Sequence, residues 1–463
     1  MNFNILNIQS FFICLIPIAL VTGPFLPDLL CVLLSIIFLY QIFKYKEWSY
    51  IKHPWLIIFL LWCIYLVLRS VFSKNPILSL ESSLFYFRFG FFAVAIWYTL
   101  EKNPKLIKTF TYIFSLVFFI VIIDGYIQYF TGQNILGFTL FYNRTGDAHR
   151  LSGFFNEQLI LGSYLARLLP LLFALILFNF STSKFLIILS MVLLILTDVL
   201  VYISGERSAF FYLLLFSVMI VLFLSKWRKL RLITIGISLI IITIITLTNE
   251  NIKNRMIEHT IEQINIKTLF SDDNKEPVQI PKEKEKFVEN QTKTRAFLSG
   301  QLTSYEAGII GDKLIAFSWH HQRHYEVALN MFKAHPIVGI GPKLFRMRCN
   351  ELEFYVEYGC STHPHNFYIQ LLSESGIIGF APVFICFILV SLFFLKKLFF
   401  KNKFYKSNTD SFTEFIICIT IGIFISLWPL IPTGSIFNNW LGVIIFFPVG
   451  FLLFGLSKIK EIQ

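Results

Sequence analysis

Charge is scarce in this 463-residue chain: Asp, Glu, Lys and Arg make up only 15% of it, where a soluble domain carries about a quarter. That shortage excludes a water-soluble enzyme. Glycine and proline are not in excess, at 23 and 16, and no low-complexity tract stands out, which excludes fibrous and disordered classes. No internal repeat is evident, whereas a transporter or flippase is expected to show repeats with glycine or proline breaks in matched spans. No HExxH element or carboxylate–histidine cluster at ligand spacing occurs, so neither a metal nor another cofactor is expected. The first apolar block lacks a basic leader and a small-residue cleavage site, and is expected to stay as a span.

What is abundant is apolar sequence, 56% hydrophobic with 17% aromatic, arriving in blocks long enough to cross about 30 Å of hydrocarbon. Twelve spans are expected, near residues 7–23, 26–43, 54–72, 82–100, 107–127, 156–178, 183–203, 208–225, 229–248, 366–395, 412–431 and 436–456. The fold class is therefore all-α, a polytopic membrane protein with one large outside loop between the ninth and tenth helices. Three regions follow: helices 1–9 in residues 1–248, the loop in 249–365, and helices 10–12 in 366–463.

Basic loops resist translocation. With both termini inside, the inside segments hold eighteen lysines and arginines, among them Lys226, Arg228, Lys229 and Arg231, while the short outside loops hold only Lys74, Arg144, Arg150 and Arg207. The large loop contains 15 basic and 15 acidic residues and adds nothing to the net charge of +12. That charge is a topology signal, not a nucleic-acid surface. Within the loop, residues 271–295 are polar and charge-mixed, which suggests a mobile or loosely packed stretch. Residues 320–336 place Tyr325, Leu329 and Phe332 at helical spacing, the pattern of an amphipathic helix. Cys349 and Cys360, eleven residues apart, are a candidate disulfide if that side is oxidising, and spacing alone leaves the pairing open.

A charge in or at the edge of a membrane is costly and marks function or an internal pair, so Arg88, Asp124, Arg167, Asp198, Glu206 and Arg207 are the first candidates. The densest polar constellation follows: His320, His321, His324 and His335 in HHQRHYEVALNMFKAH, then His363 and His365 in STHPHNFYIQ. A basic cluster of Arg150, Arg207, Arg323, Arg346 and Arg348 also falls outside, and guanidinium forks suit a phosphate or diphosphate. A histidine beside such a cluster has the pKa of a general base. Equally, His365 reads as no more than a cap of the tenth span.

The run HNFYIQLLSESGIIG, which is His365 and Asn366, nine residues, Gly376, two residues and Gly379, resembles the signature of the bacterial O-antigen ligase and O-antigen polymerase superfamily. RLSGFFNEQLILGSYLARLLPLL from Arg150, GERSAFFYLLLF with Arg207 and Ala209, and SWHHQRHYEVALNMFKAHPIVGIG with Arg323 fall in that family's order. The resemblance implies an inner-membrane enzyme with both termini cytoplasmic, a periplasmic large loop and a periplasmic active site. It implies metal-independent, inverting transfer of a glycan from undecaprenyl diphosphate to lipid A-core, within the lipid bilayer. By that resemblance His365 is the base, with His363 competing but wrongly spaced to the glycines. Arg207 and Arg323 bind the diphosphate, while Arg150, Asn156, Arg346 and Arg348 are substrate contacts. Gly376 and Gly379 read as close-packing positions, and Glu374 as an orienting group or a satisfied carboxylate. A polymerase of the same superfamily and a protein O-oligosaccharyltransferase are the alternatives within this chemistry.

Overall fold

In hydrocarbon every backbone N–H and C=O must be satisfied internally, so long apolar runs have to become helices. The computed structural model describes residues 5–142, 149–264, 318–399 and 410–462. Each expected span is represented by helix: α1 (Ile5–Ala19), α2 (Phe25–Tyr45), α3 (Pro54–Val71), the short α4 (Pro76–Ser83) continuing into α5 (Arg88–Lys102), α6 (Leu106–Thr131), α7 (Leu161–Phe180), α8 (Lys184–Ile203), α9 (Arg207–Phe223) and α10 (Arg228–Thr248). The large loop carries α11 (Glu250–Lys253), α12 (His259–Ile264), α13 (Trp319–Ala334) and α14 (Phe345–Arg348), and the chain closes with α15 (Phe367–Phe399), α16 (Asp410–Ser426) and α17 (Asn439–Ile462). Among the described residues nine helices are long and apolar enough to cross a membrane, counting α4 with α5, and shorter apolar helices occupy the other three positions. This is a polytopic membrane protein. A two-residue antiparallel pairing of β1 (Phe141–Tyr142) with β2 (His149–Arg150) is a small departure from an all-α chain. Residues 271–295 lie outside the described residues.

At the centre lies α7, packed against α6, α8, α9, α16 and α17. Polar contacts sort by end of the bundle. At one end Asn103 meets Ser10, Tyr50 meets Glu101, and Trp227 donates to Glu414. At the other Lys74 pairs with Glu351, Lys343 with Glu81, and Arg207 with Thr260. These are the ends that the sequence assigns to inside and outside. A second, smaller core of Val327, Ala328, Met331, Ile340, Leu344, Phe345, Cys349 and Phe354 covers the second of these ends. The Cys349–Cys360 disulfide braces it, with Cα atoms 5.2 Å apart.

Four expectations are corrected. Residues 366–395 do not form one continuous helix: α15 breaks at Gly376, whose φ of 63° lies in the left-handed region. A Cβ there would sit 2.2 Å from the Ile337 carbonyl oxygen, so only glycine admits the approach. The eleventh helix ends at Ser426 rather than near 431, because Pro429 and Pro432 cannot continue it, and residues 427–438 form an irregular segment with a short turn. In α13 the buried stripe is His324, Val327, Ala328 and Met331, one position off the expected one, and Leu329 is 39% exposed. Arg231, counted as an inside-loop charge, lies in α10 and is fully buried.

Asp198 accounts for that burial. Its carboxylate accepts both Nη1 and Nη2 of Arg231, at 2.8 and 2.9 Å, and Ser238 donates to the same carboxylate at 2.9 Å. Of the two readings open for Asp198, function or an internal pair, the structure shows the pair, which links α8 to α10. Removing one partner of a buried pair strands the other, which costs about 3–5 kcal/mol, whereas an apolar replacement of both is close to neutral. Thermal unfolding in detergent should therefore show a large drop for Asp198→Ala and recovery in the double variant Asp198→Leu/Arg231→Met.

Candidate functional site

The turn before α15 is held from both sides. Asn366 caps the helix, its Oδ1 accepting from the Tyr368 and Ile369 N–H groups at 3.0 and 3.2 Å, while its amide donates to the Pro429 carbonyl at 2.7 Å. Thr433 N–H donates to the His365 carbonyl at 2.7 Å, and Phe367 N–H donates to Thr433 Oγ1 at 3.0 Å. Capping is done by Asn366. His365, at φ 58°, is left to turn its imidazole elsewhere.

That ring enters a histidine pocket. Its centroid lies 4.2 Å from His363 and 5.4 Å from both His321 and His324, and Nε2 is 3.2 Å from Ser361 Oγ. The neighbours are themselves fixed: His324 Nδ1 lies 2.9 Å from the Gly359 carbonyl and therefore carries the proton it donates, and His321 Nδ1 is 2.6 Å from Ser318 Oγ. Burial, then His324, lowers His365 to about 4. Burial likewise brings His363 and His321 to about 3, aided in His321 by His365, His324, His320 and Arg207. All three are neutral at pH 7, since packing several imidazoles out of water penalises the charged form. Among the described residues no group of three His, Cys, Asp or Glu is disposed to hold a metal.

Arg207, the first residue of α9, acts electrostatically on both His321 and a cluster of cations. Its Nη1 donates to Thr260 at 3.1 Å. Arg255, in the π-helical turn 254–258, donates from Nε to the Gly205 carbonyl at 3.3 Å. Burial lowers Arg255 to about 9, with Arg150 and Arg207 pressing in the same direction and Glu206 opposing. Burial also lowers Arg150, whose buried Nε has no hydrogen-bond partner among the described residues. Glu206 faces these cations: raised to about 7 by burial, it accepts from Gly162 and Ser163 N–H at 2.7 and 3.1 Å, at the start of α7.

Of the residues singled out in the sequence, His365 and His363 meet in the histidine pocket, Arg207 acts electrostatically on its His321, and Arg150 acts in the same way on Arg207. Arg323 sits on α13 between His321 and His324, pairing with Glu326 at 3.0 Å. Arg346 is exposed and acts electrostatically on His363. Arg348 is occupied, paired with Glu351 at 2.8 Å and lying 4.8 Å over Phe354. Asn156, at φ 52°, instead lines a separate cavity of about 570 Å³ with Ser163 and Arg167. Glu374 is fully buried, accepting from the Lys343 and Phe345 N–H groups and from Gln370. Sequence reasoning missed Arg255 and Thr433. The first is one charge in a mixed-charge loop, and the second had a signal in the PLIPTG run.

The architecture is that of a polytopic membrane protein with a histidine and arginine site at one end. Residues 189–384, from α8 to the middle of α15, match the family model described as O-antigen ligase, which supports the superfamily that the His365–Asn366 run resembles. Its members are O-antigen ligases or polymerases, glycosyl-transferring enzymes that use lipid-linked glycans in a membrane. No curated protein matches the chain.

Loss of a helix cap costs about 1 kcal/mol, and Asn366 also ties the 427–438 segment to the base of α15. Asn366→Ala should lower the unfolding midpoint modestly and speed proteolysis within 427–438. An unchanged cleavage pattern would contradict the tie.

Proposed function

We propose that the chain is an inner-membrane glycosyltransferase of the O-antigen ligase type. It transfers O-antigen polysaccharide from undecaprenyl diphosphate to a sugar hydroxyl of lipid A-core, at the periplasmic face. The observation that carries the reading is the release of the His365 ring from capping into a half-buried histidine pocket whose His321 feels the charge of Arg207. Three further features support it: the family match, the bias of Lys and Arg toward the opposite end of the bundle, and a disulfide suited to an oxidising compartment.

In this mechanism neutral His365 accepts the proton of the acceptor hydroxyl. The freed oxygen attacks the anomeric carbon from the face opposite the diphosphate. The bond between that carbon and the diphosphate oxygen breaks, inverting the centre and leaving undecaprenyl diphosphate with an added negative charge. Arg207, Arg150 and Arg255 stabilise that charge, a kind of preorganised interaction whose removal costs about 10²–10³ in kcat per donor. Arg323 and Arg346, at the rim, attract the anion. No step needs an oxidant or an activated cofactor.

A general base contributes about 10²–10⁴ in rate, so His365→Ala should lose that factor in kcat while His363→Ala loses much less. Equal losses would reassign the base. Gene deletion tests the product: bare lipid A-core with long polymer left on the carrier supports ligation, core bearing a single repeat unit indicates polymerisation, and an unchanged lipopolysaccharide ladder overturns the reading.

The pH dependence follows from the lowered His365 value. The base works when neutral, so activity is present above its pKa and falls as pH drops through it. In kcat/KM, which reports the free enzyme, the acid limb should lie nearer 4 than 6.5. A bound diphosphate stabilises the imidazolium, so the kcat limb should lie higher.

A further inference from the structure

The cavity of about 570 Å³ is bounded by the α1–α2 turn, residues 154–160, the first two turns of α7 and the segment before α17. It opens at the same end as His365, and Gly434 on its wall directly follows Thr433, which holds the His365 backbone. Its volume falls within the range of small-molecule sites, about 300–1,000 Å³. One wall is polar, with Asn156, Glu157 and Gln158 exposed; another is aromatic, with Phe154 and Trp440.

Arg167 reaches this cavity from inside α7 and is only 4% exposed. Its Nη2 donates to the Tyr212 hydroxyl at 2.8 Å, its Nε approaches Ser163 Oγ at 3.3 Å, and Nη1 has no hydrogen-bond partner among the described residues. Among the described residues no carboxylate lies within ion-pair distance of it, and Glu206 feels its charge from farther away. A buried donor left unmade is unfavourable unless something else fills it. The backbone at Asn156 is also held in the left-handed region at φ 52°, strain of the kind stored at ligand sites.

The lining selects a chemistry. A hydrocarbon tail would meet amides and a guanidinium, a cation would meet Arg167, and a dense anion would meet Glu157. A sugar ring satisfies all of them, because each hydroxyl both donates and accepts, while its C–H face packs against aromatic rings. We infer that this cavity is a saccharide-binding subsite, seating one sugar unit of a glycan substrate with Arg167 and Gln158 among its contacts. The inference rests on the proposed glycosyl transfer and names where a sugar of either substrate is gripped.

The full-length chain in lipid nanodiscs can be dialysed to equilibrium against two tritiated probes released from the host lipopolysaccharide, the core oligosaccharide and the polysaccharide repeat unit. The wild type should retain one of them. Arg167→Met should weaken retention at least tenfold, and so should Gln158→Trp, which fills the cavity from an exposed position and does not depend on a buried charge. Retention of the core assigns the subsite to the acceptor, and retention of the repeat unit to the donor. A wild type that retains neither, or a Gln158→Trp variant that folds and binds as the wild type does, overturns the subsite. Dialysis needs no turnover, so a chain that binds sugar but transfers nothing removes the proposed reaction and keeps the subsite.

Discussion

Everything at the histidine end of the bundle depends on one backbone pairing. Where α15 breaks, Ile340 and Gly341 N–H donate to the Ser373 and Glu374 carbonyls at 2.9 and 2.8 Å, and Ile377 and Ile378 N–H donate to Pro336 and Ile337 at 2.9 and 3.3 Å. Breaking a helix at membrane depth frees polar groups that lipid cannot satisfy, so a break survives only where protein supplies partners. Here the partner is the large loop itself. Gly339 and Gly376 allow it, since a Cβ on either would collide with backbone of the other segment at 2.2–2.5 Å. Glu374 closes the joint by accepting the Lys343 and Phe345 N–H groups, and Arg69 of α3 donates to the Gly339 carbonyl at 2.7 Å.

The pairing explains how a loop of more than a hundred residues can carry chemistry. It docks the second core onto α15, and that core presents α13 to the turn holding His365. The histidine pocket therefore has walls from two places far apart in sequence, His321 and His324 on one side, His363 and His365 on the other. Rigidity in the supporting shell is what keeps a base within reach of its proton.

How much was legible in the sequence follows from what each signal measures. Apolar length reports helices in lipid, and every expected run contains one. It is blind to breaks inside an apolar run: Ser373–Gly376 is too short a polar interruption to end a span, and the LWPLIP segment remains hydrophobic although the backbone leaves the helix. Charge reports loops, which failed at Arg231 because Asp198 supplies a partner that only the fold reveals. Periodicity found α13 but missed its buried face by one position, because His324, polar by type, is the residue turned inward. The His365–Asn366 run was readable as a motif. That Asn366 caps and His365 does not is a matter of hydrogen bonds, which spacing leaves undecided. Arg255 gave no sign, being one basic residue in a loop balanced between both charges.

The two halves of the site differ in electrostatic character. The histidine pocket is kept neutral by burial, so its base is weak. The other half gathers half-buried guanidinium groups near Glu206, which caps α7. In the proposed reaction an anion between them pairs with the guanidinium groups and stabilises the imidazolium that proton transfer creates. Under the proposed reaction, a base held near 4 without substrate moves toward working pH only when the diphosphate is bound. Proton abstraction is then confined to the complex in which the donor is already in place.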